Sequence, residues 1–387
     1  MNSKWEYRKI GDVCIVERGG SPRPIDQYIT NDANGINWIK IGDTSESMYI
    51  TETAQKIKPE GMKKSRYVQP GDFLLSNSMS FGRPYILKTD GCIHDGWLVL
   101  RDKNSFFDKR FLYYYLSAKP TYEKFKMIAV GGVVNNLNSE MVRKISVPVP
   151  CKAEQIEIAN LLDIVNRIIL KRKQTLQKLD ELVKARFVEM FGDDKYSKTP
   201  LINLITEGAG LSYGIVQPGD SGTGDMGVLR PVDMVNGKIS THSIKYIDRS
   251  IGASFKKTEL VGDELLITVR GTTGVTALTD SRFKNMNVTR GIAVIRYDRR
   301  KINPIYLNAF LNTDESQQYI QEHTRGATLQ QINLSDLRVH MIPVPPIELQ
   351  EKLADFIQQV DKSKVAVQKS LDEAQLLFDS LMQQYFG

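Results

Sequence analysis

Four histidines, His94, His242, His323 and His340, are the residues best suited to acid–base work or metal ligation, and no two stand at metal-ligand spacing. Only His94 has an acid beside it, Asp95, and a lone His-Asp pair is more often a structural hydrogen bond than an acid/base couple. Gly222-Thr223-Gly224-Asp225-Met226-Gly227 has the glycine spacing of a dinucleotide fingerprint. It follows the turn-rich Gln217-Pro218-Gly219-Asp220-Ser221 and leads into Val228-Leu229-Arg230, which reads as a strand, whereas the fingerprint needs a strand before it and a helix after. We read it as a loop. The sequence contains no Walker A motif, no Asp/Asn-Pro-Pro-aromatic motif of the amino-methyltransferase type, and no acidic cluster with lysine of the nuclease type. These residues point to a protein that binds and assembles rather than one that catalyses.

Composition narrows the setting. Hydrophobic residues make up 41% and charged residues 25% of 387, ordinary values for a folded chain long enough for two cores. An excess of 52 Lys and Arg over 45 Asp and Glu gives net +7, which favours a polyanionic partner without demanding one. Cys14, Cys92 and Cys151 lie far apart, so buried, reduced thiols in a cytoplasmic protein are expected. Met1-Asn2-Ser3-Lys4-Trp5 carries no apolar signal region, and no apolar run reaches the length of a membrane span. Neither secretion nor membrane insertion is expected.

The elements that position the polar residues come in two copies. Pro148-Val149-Pro150 recurs as Pro343-Val344-Pro345, an offset of 195 that also pairs Gln155 with Gln350, Ala159 with Ala354 and Phe191-Gly192 with Phe386-Gly387. Backward, it pairs Asn138 with Asn333, Gly131 with Gly326, Leu116 with Leu311, and Gly96 to Arg101 with Gly291 to Arg296. Further upstream the offset slips, and Gly71-Asp72-Phe73-Leu74-Leu75 resembles Gly262-Asp263-Glu264-Leu265-Leu266, each followed by a loop with Gly82 or Gly274. The copies agree least over 17–65 against 207–256. A shared framework with divergent loops suits two recognition modules of different specificity.

Apolar residues from Ile158 step by four and three through Leu162, Val165, Ile169, Leu176, Leu179, Val183 and Met190, with Arg172 and Arg186 interrupting. The second copy runs Leu353, Ile357, Val360, Val367, Leu371, Ala374, Phe378, Leu381 and Tyr385, with Lys364 interrupting. At 1.5 Å per residue, roughly 35 residues make a rod of about 50 Å, too long for the core helix of a small lobe. The two helices are therefore expected to pair as an antiparallel coiled coil, with Arg172 and Arg186 aligned to Val367 and Leu381 to fix register. The lobes show short β-branched runs such as 37–41 and 265–269, and helical patterns over 111–118, 122–128, 306–312 and 316–322, with a break at Pro120. Tyr113, Tyr114 and Tyr115 read as core and rim. The fold class is mixed α/β, two lobes alternating with two long helices in a pseudo-two-fold repeat. The expected boundaries are 1–150 and 195–345 for the lobes, 151–194 and 346–387 for the helices.

This arrangement resembles the specificity subunits of type I restriction-modification systems. The resemblance spans the chain and is carried by Gly131-Gly132 through Asn138, by Ile145 to Ile156 with its Pro148-Val149-Pro150 and Glu154-Gln155, and by the copies Arg325-Gly326 through Asn333 and Pro343 to Gln350. One departure is Leu349 where the first copy has Glu154, which puts that glutamate's contact in question at the second helix. The resemblance implies that each lobe, a target-recognition domain, reads one half of an asymmetric two-part site on double-stranded DNA. It implies that the helices set the spacing and dock two methyltransferase subunits, that restriction subunits join, and that S-adenosylmethionine, ATP and Mg belong to those partners, with no cofactor of this chain's own. A rigid spacer would place half-sites about one duplex turn apart.

Base and phosphate contacts need Arg, Lys, Asn, Gln, Ser or Thr in loops beside strands. In the first lobe these are Arg18, Ser21, Arg23, Lys40, Asn77, Ser78 and Arg83; in the second, Tyr213, Arg230, Arg270, Thr272, Thr273 and Arg325. Arg83 and Arg270 stand out, each in the glycine-containing loop after the matched Gly-Asp strand. A coiled-coil scaffold joining protein partners is the alternative from another class, and salt-sensitive, sequence-dependent DNA affinity separates the two. A self-contained modification enzyme ranks last.

Overall fold

A computed structural model of the chain describes residues 5–77, 82–129, 136–192, 195–216, 219, 224–235 and 237–387. It divides into two compact units, Met1–Lys173 with Lys369–Gly387, and Gln174–Gln368. Ser78, Gly131-Gly132 and Gly222 lie outside the described residues.

In the first unit the strand Trp97–Asp102 pairs antiparallel with Cys14–Arg18 on one side and Phe73–Ser76 on the other. Pro84–Leu87 and Tyr49–Ile50 complete a five-stranded sheet. Successive side chains of a strand face opposite ways, and here both faces are covered. Leu98 and Leu100 join Phe73, Leu75, Phe111 and Leu116 in one core, while Trp97 and Val99 join Leu74, Tyr85 and Leu87 in another. Burial on both sides makes this run uniformly apolar where a one-sided strand would alternate. A second five-stranded sheet runs Ile29–Thr30, Gln55–Ile57, Ile36–Ile39, Gly91–Ile93, Arg66–Val68.

The second unit repeats the device. Ile292–Ile295 lies between Ser212–Tyr213 and Leu265–Thr268, with Thr276–Leu278 outermost. Ala293 and Ile295 pack with Tyr306, Leu307 and Phe310; Ile292 and Val294 pack with Leu229, Leu266 and Phe283. Strand pairing corrects the repeat alignment here. Leu100 faces Phe73 and Ile295 faces Leu265, so Phe73 to Ser76 matches Leu265 to Thr268, one residue away from the match suggested by the Gly-Asp turns. The corrected register explains two charges. Arg101 pairs with Asp72 at 3.0 Å and with Glu17 at 2.9 Å, and its mate Arg296 lies 3.6 Å from buried Glu264.

Helices begin where side chains satisfy their free N–H groups. Asp108 accepts from the backbone of Arg110 and Phe111 ahead of Lys109–Ser117, and its mate Asn303 accepts from Ile305 and Tyr306 ahead of Pro304–Leu311. Pro120, expected as a break, lies in the first turn of Lys119–Ala129, where a missing N–H is harmless. The three tyrosines are core and rim as expected: Tyr114 donates to Asp163 at 2.6 Å and Tyr115 to the Ser146 carbonyl at 2.8 Å.

The long helices are Lys152–Phe191 and Ile347–Phe386, forty residues each, and they pack antiparallel. Inside the first unit Val165 and Ile169 meet Leu371, Ala374, Phe378 and Leu381. Inside the second, Phe187 and Phe191 share a core with Leu353 and Ile357, and the Arg186 guanidinium lies 5.8 Å over Phe356. Arg172 lies exposed rather than in the seam. The polar layer falls instead at Lys364, whose ammonium is 2.7 Å from Asp180. Buried Gln155 and Gln350 tie each helix to its lobe: Gln155 accepts from the Asp108 N–H and donates to the Phe106 and Pro150 carbonyls, and Gln350 accepts from the Asn303 N–H and donates to the Pro345 carbonyl. Glu154 takes the Trp5 indole N–H at 2.8 Å, while Leu349 packs against the second core, so the exchange trades a hydrogen bond for apolar contact.

Candidate nucleic-acid interface

The strand Cys14–Arg18 delivers Arg18 to a turn at Gly19 that no other residue could make. A Cβ there would lie 2.2 Å from the His94 carbonyl oxygen. The Gly19 N–H donates to the Trp97 carbonyl at 2.9 Å and the Gly20 N–H to the Ile93 carbonyl at 3.2 Å, laying the following loop along His94-Asp95-Gly96. Four of the residues expected from sequence meet there. The Ser21 hydroxyl donates to Asp95 Oδ1 at 2.9 Å, Arg18 Nε donates to the Asp95 carbonyl at 3.1 Å, buried Asn77 donates to the same carbonyl at 2.9 Å, and Arg23 Nη2 stands 3.6 Å from Asp95 Oδ2. With His94, Asn136 and others they line a cleft of about 910 Å³.

His94 is oriented by its neighbour. The Gly96 N–H donates to Nδ1 at 2.9 Å, so Nε2 carries the ring proton, 3.0 Å from Asp95 Oδ1. Burial works against the Asp95 charge, but the Ser21 hydroxyl, the His94 ring and the Arg18 guanidinium outweigh it and hold the carboxyl below its ordinary value. The His94 ring thus stands within hydrogen-bond distance of Asp95, the contact expected from sequence. Asp95 itself, the residue that gathers the others, was missed as a site residue.

The structure does not bring Lys40 and Arg83 to this cluster's hydrogen bonds. Lys40 Nζ donates to Gln55 at 2.8 Å, and Arg83 donates to the Ser45 carbonyl at 3.3 Å with its guanidinium over Tyr85. Arg230 holds the place of Lys40 in the second unit, and its guanidinium is spent on buried Asp233, at 3.0 and 2.9 Å, and on the Ser243 carbonyl.

Elsewhere in the second unit the same frame carries other side chains. Gly214 is pressed on the Val288 carbonyl oxygen, 1.8 Å from where its Cβ would be, and the Arg290 N–H donates to the Ile215 carbonyl. Val269 bonds to Gly291, Arg270 bridges Gln331, and Thr324–Arg325 pairs with Gln331–Ile332. These pairings bring Arg270, Arg290 and Arg325 to one edge. Arg270 Nε is buried with no partner among the described residues, and Arg325 lies 3.8 Å from Asp336. Tyr213 and Thr272 are exposed, whereas Thr273 is buried against the Thr324 hydroxyl at 3.0 Å. Arg290 was also missed, although the offset of 195 sets it opposite Asp95.

No group of His, Cys, Asp or Glu among the described residues could hold a metal ion. Cys14 and Cys92 are buried, and burial raises their thiols to about 12 and about 11, but Cys151, expected to be buried, is exposed. No described helix is long and apolar enough to cross a membrane.

Comparison with known proteins agrees in both halves. The model of the type I restriction modification DNA specificity domain matches residues 2–181 and 221–374. The specificity subunit of type I restriction enzyme EcoBI from Escherichia coli is 23% identical over 383 residues, covering 91% of this chain and 79% of that protein. The type I restriction enzyme MjaIX specificity subunit of Methanocaldococcus jannaschii is 26% identical over 194 residues, 49% of this chain and 44% of its own length. Among solved structures, the S subunit of a type I restriction-modification system from M. genitalium shares the fold at TM-score 0.57 and 13% identity, over 100% of this chain and 97% of its own. A chain solved in work on complex assembly and conformational transition of the type I R-M system does so at 0.58 and 16%, over 100% and 98%. With both copies of its repeat matched by the one domain model, the chain belongs to the type I restriction-modification DNA specificity family.

Proposed function

We propose that this chain reads a two-part DNA sequence, one half with each lobe, and presents it to methyltransferase and restriction subunits. As a specificity subunit it recognises DNA and leaves the chemistry to its partners. The observation that carries the two-part reading is the paired frame: Gly19 and Gly214, set against the equivalent Ile93 and Val288 carbonyls, hold different polar side chains at the same place in the two lobes. Conserved backbone with altered tips is what two readers of unlike half-sites require, since backbone contacts position and side chains specify.

The finer assignments follow from that reading. Residues 1–150 and 195–345 act as the two target-recognition domains, and 151–194 and 346–387 as the spacers that set half-site separation. Two methyltransferase subunits dock on the complex with restriction subunits joining them, in the cytoplasm. S-adenosylmethionine, ATP and Mg belong to those subunits. In the first lobe Arg18, Ser21, Arg23 and Asn77 face the half-site; in the second, Arg270, Arg290, Arg325, Tyr213 and Thr272 do. A salt titration of duplex binding by the full-length chain with its methyltransferase partner tests this. Affinity should fall linearly on a log–log plot and exceed that for a scrambled duplex by a factor on the order of 10³ or more. Affinity indifferent to sequence and salt would favour a protein scaffold.

A further inference from the structure

We infer that the position occupied by Asp95 in the first lobe and Arg290 in the second decides one base of each half-site, Asp95 by accepting a hydrogen bond from a cytosine amino group and Arg290 by donating to a guanine. The inference rests on the DNA-reading function proposed above and names the residues that set its specificity.

Three observations meet at this position. The surroundings match in both lobes: a glycine, Gly19 or Gly214, is set against the carbonyl two residues before it, Ile93 or Val288, whose oxygen also takes the N–H of the next residue, Gly20 or Ile215, and a glycine, Gly96 or Gly291, follows it. The residue held by that frame reverses charge between the copies, which a purely structural role would not call for. The carboxylate of Asp95 is also divided in use. Oδ1 accepts the Ser21 hydroxyl at 2.9 Å and faces the His94 Nε2 proton at 3.0 Å, while Oδ2 takes neither bond and stands 3.6 Å from the Arg23 guanidinium, beyond hydrogen-bond length.

One oxygen is thus fixed by the protein and the other is held by no hydrogen bond of these, in a residue that lines the cleft with Arg18, Arg23, Asn77 and Asn136. An anion facing DNA is unfavourable beside phosphates, and it gains most by meeting a donor on a base edge. In the major groove cytosine offers its N4 amino group to Asp or Glu, and guanine offers O6 and N7 to Arg. Arg18 and Arg23 flank the acid and supply positive charge for the adjoining phosphates.

The test compares methylated motifs in cells that express the presumed methyltransferase partner with the wild-type chain, with Asp95→Asn or with Arg290→Gln. Asn and Gln pair with adenine, so Asp95→Asn should replace or relax one cytosine of one half-site, with a preference change of about 10- to 100-fold, and leave the other half untouched. Arg290→Gln should do the same at one guanine of the opposite half. A wild-type half-site with adenine at the affected position would overturn the cytosine assignment. Methylation weakened across all sites with an unchanged motif for both variants would overturn the whole inference and make the position a structural support, while leaving the two-lobe reading intact. No motif even with the wild-type chain would instead remove the DNA-reading function beneath it.

Discussion

Arg18 and Asp95 touch each other, yet in the proposed reading they have opposite duties. Arg18 is exposed and donates through Nε to the Asp95 carbonyl, and in the proposed reading the rest of its guanidinium meets phosphate. Arg18→Ala should weaken binding to all duplexes about equally and reduce the salt slope by about 1, with the motif unchanged; a changed motif would assign Arg18 to base readout. His340 gives a prediction of another kind. It is buried, its ring stacked 4.1 Å from Tyr319 and its Nε2 2.8 Å from the Ser316 hydroxyl. Burial lowers it to about 4; the charge of Glu315 opposes the shift, and His323 and Lys198 add to it. The unfolded imidazole takes its proton near 6.5 and the folded one resists until about 4. Stability from the neutral ring is therefore present above pH 6.5 and lost as pH falls toward 4, up to roughly 3 kcal/mol. Urea midpoints between pH 7.5 and 5 should show this fall, and His340→Gln should flatten it. Arg18, Ser21, Arg23 and Asn77 are legible in the sequence because they are polar loop residues beside apolar strand runs. Asp95 is not, since an acid beside a histidine reads as structure, nor is Arg290, since only the sign change across the repeat singles it out.

At the scale of elements, each lobe is fastened to its helix by a buried glutamine and to the returning helix by an aromatic. Gln155→Leu should destabilise by about 1–3 kcal/mol, because the Asp108 N–H and the Phe106 and Pro150 carbonyls lose their partner. Phe386, nearly three hundred residues from Phe111 in sequence, packs within 5.5 Å of its ring and near Trp5 and Tyr115. Phe386→Ala should cost about 3–5 kcal/mol in the first unit, read by hydrogen exchange in its Trp97 strand; unchanged protection there would contradict the packing. The long helices were legible from heptad spacing, apart from their first turns. Lys152-Ala153-Glu154-Gln155 holds on by hydrogen bonds rather than apolar contact, so periodicity begins six residues late at Ile158. The strands were legible as apolar runs, but the one-residue shift between Gly-Asp turn and strand was not, because glycine turns align to the eye while pairing follows the sheet.

Across the whole molecule the repeat is the organising fact, and it was legible where the framework is buried on both faces and must keep its side chains. It faded over the loops, where Gly19 and Gly214 retain the spacing, because there the frame needs only a missing Cβ and leaves its neighbours free to differ. If the paired helices set the distance between half-sites, inserting one heptad into both should lengthen the recognised spacer and preserve both half-sites; an unaltered spacer would refute that role. The claim beneath all of these is that the chain supplies sequence recognition to a methyltransferase. The most direct measurement is a genome-wide map of methylated adenine in cells expressing the presumed methyltransferase with this chain, set against cells lacking only this chain. The account predicts a two-part motif present in the first and absent from the second. The same motif in both, or none although partner and chain are expressed and bound to each other, would contradict it.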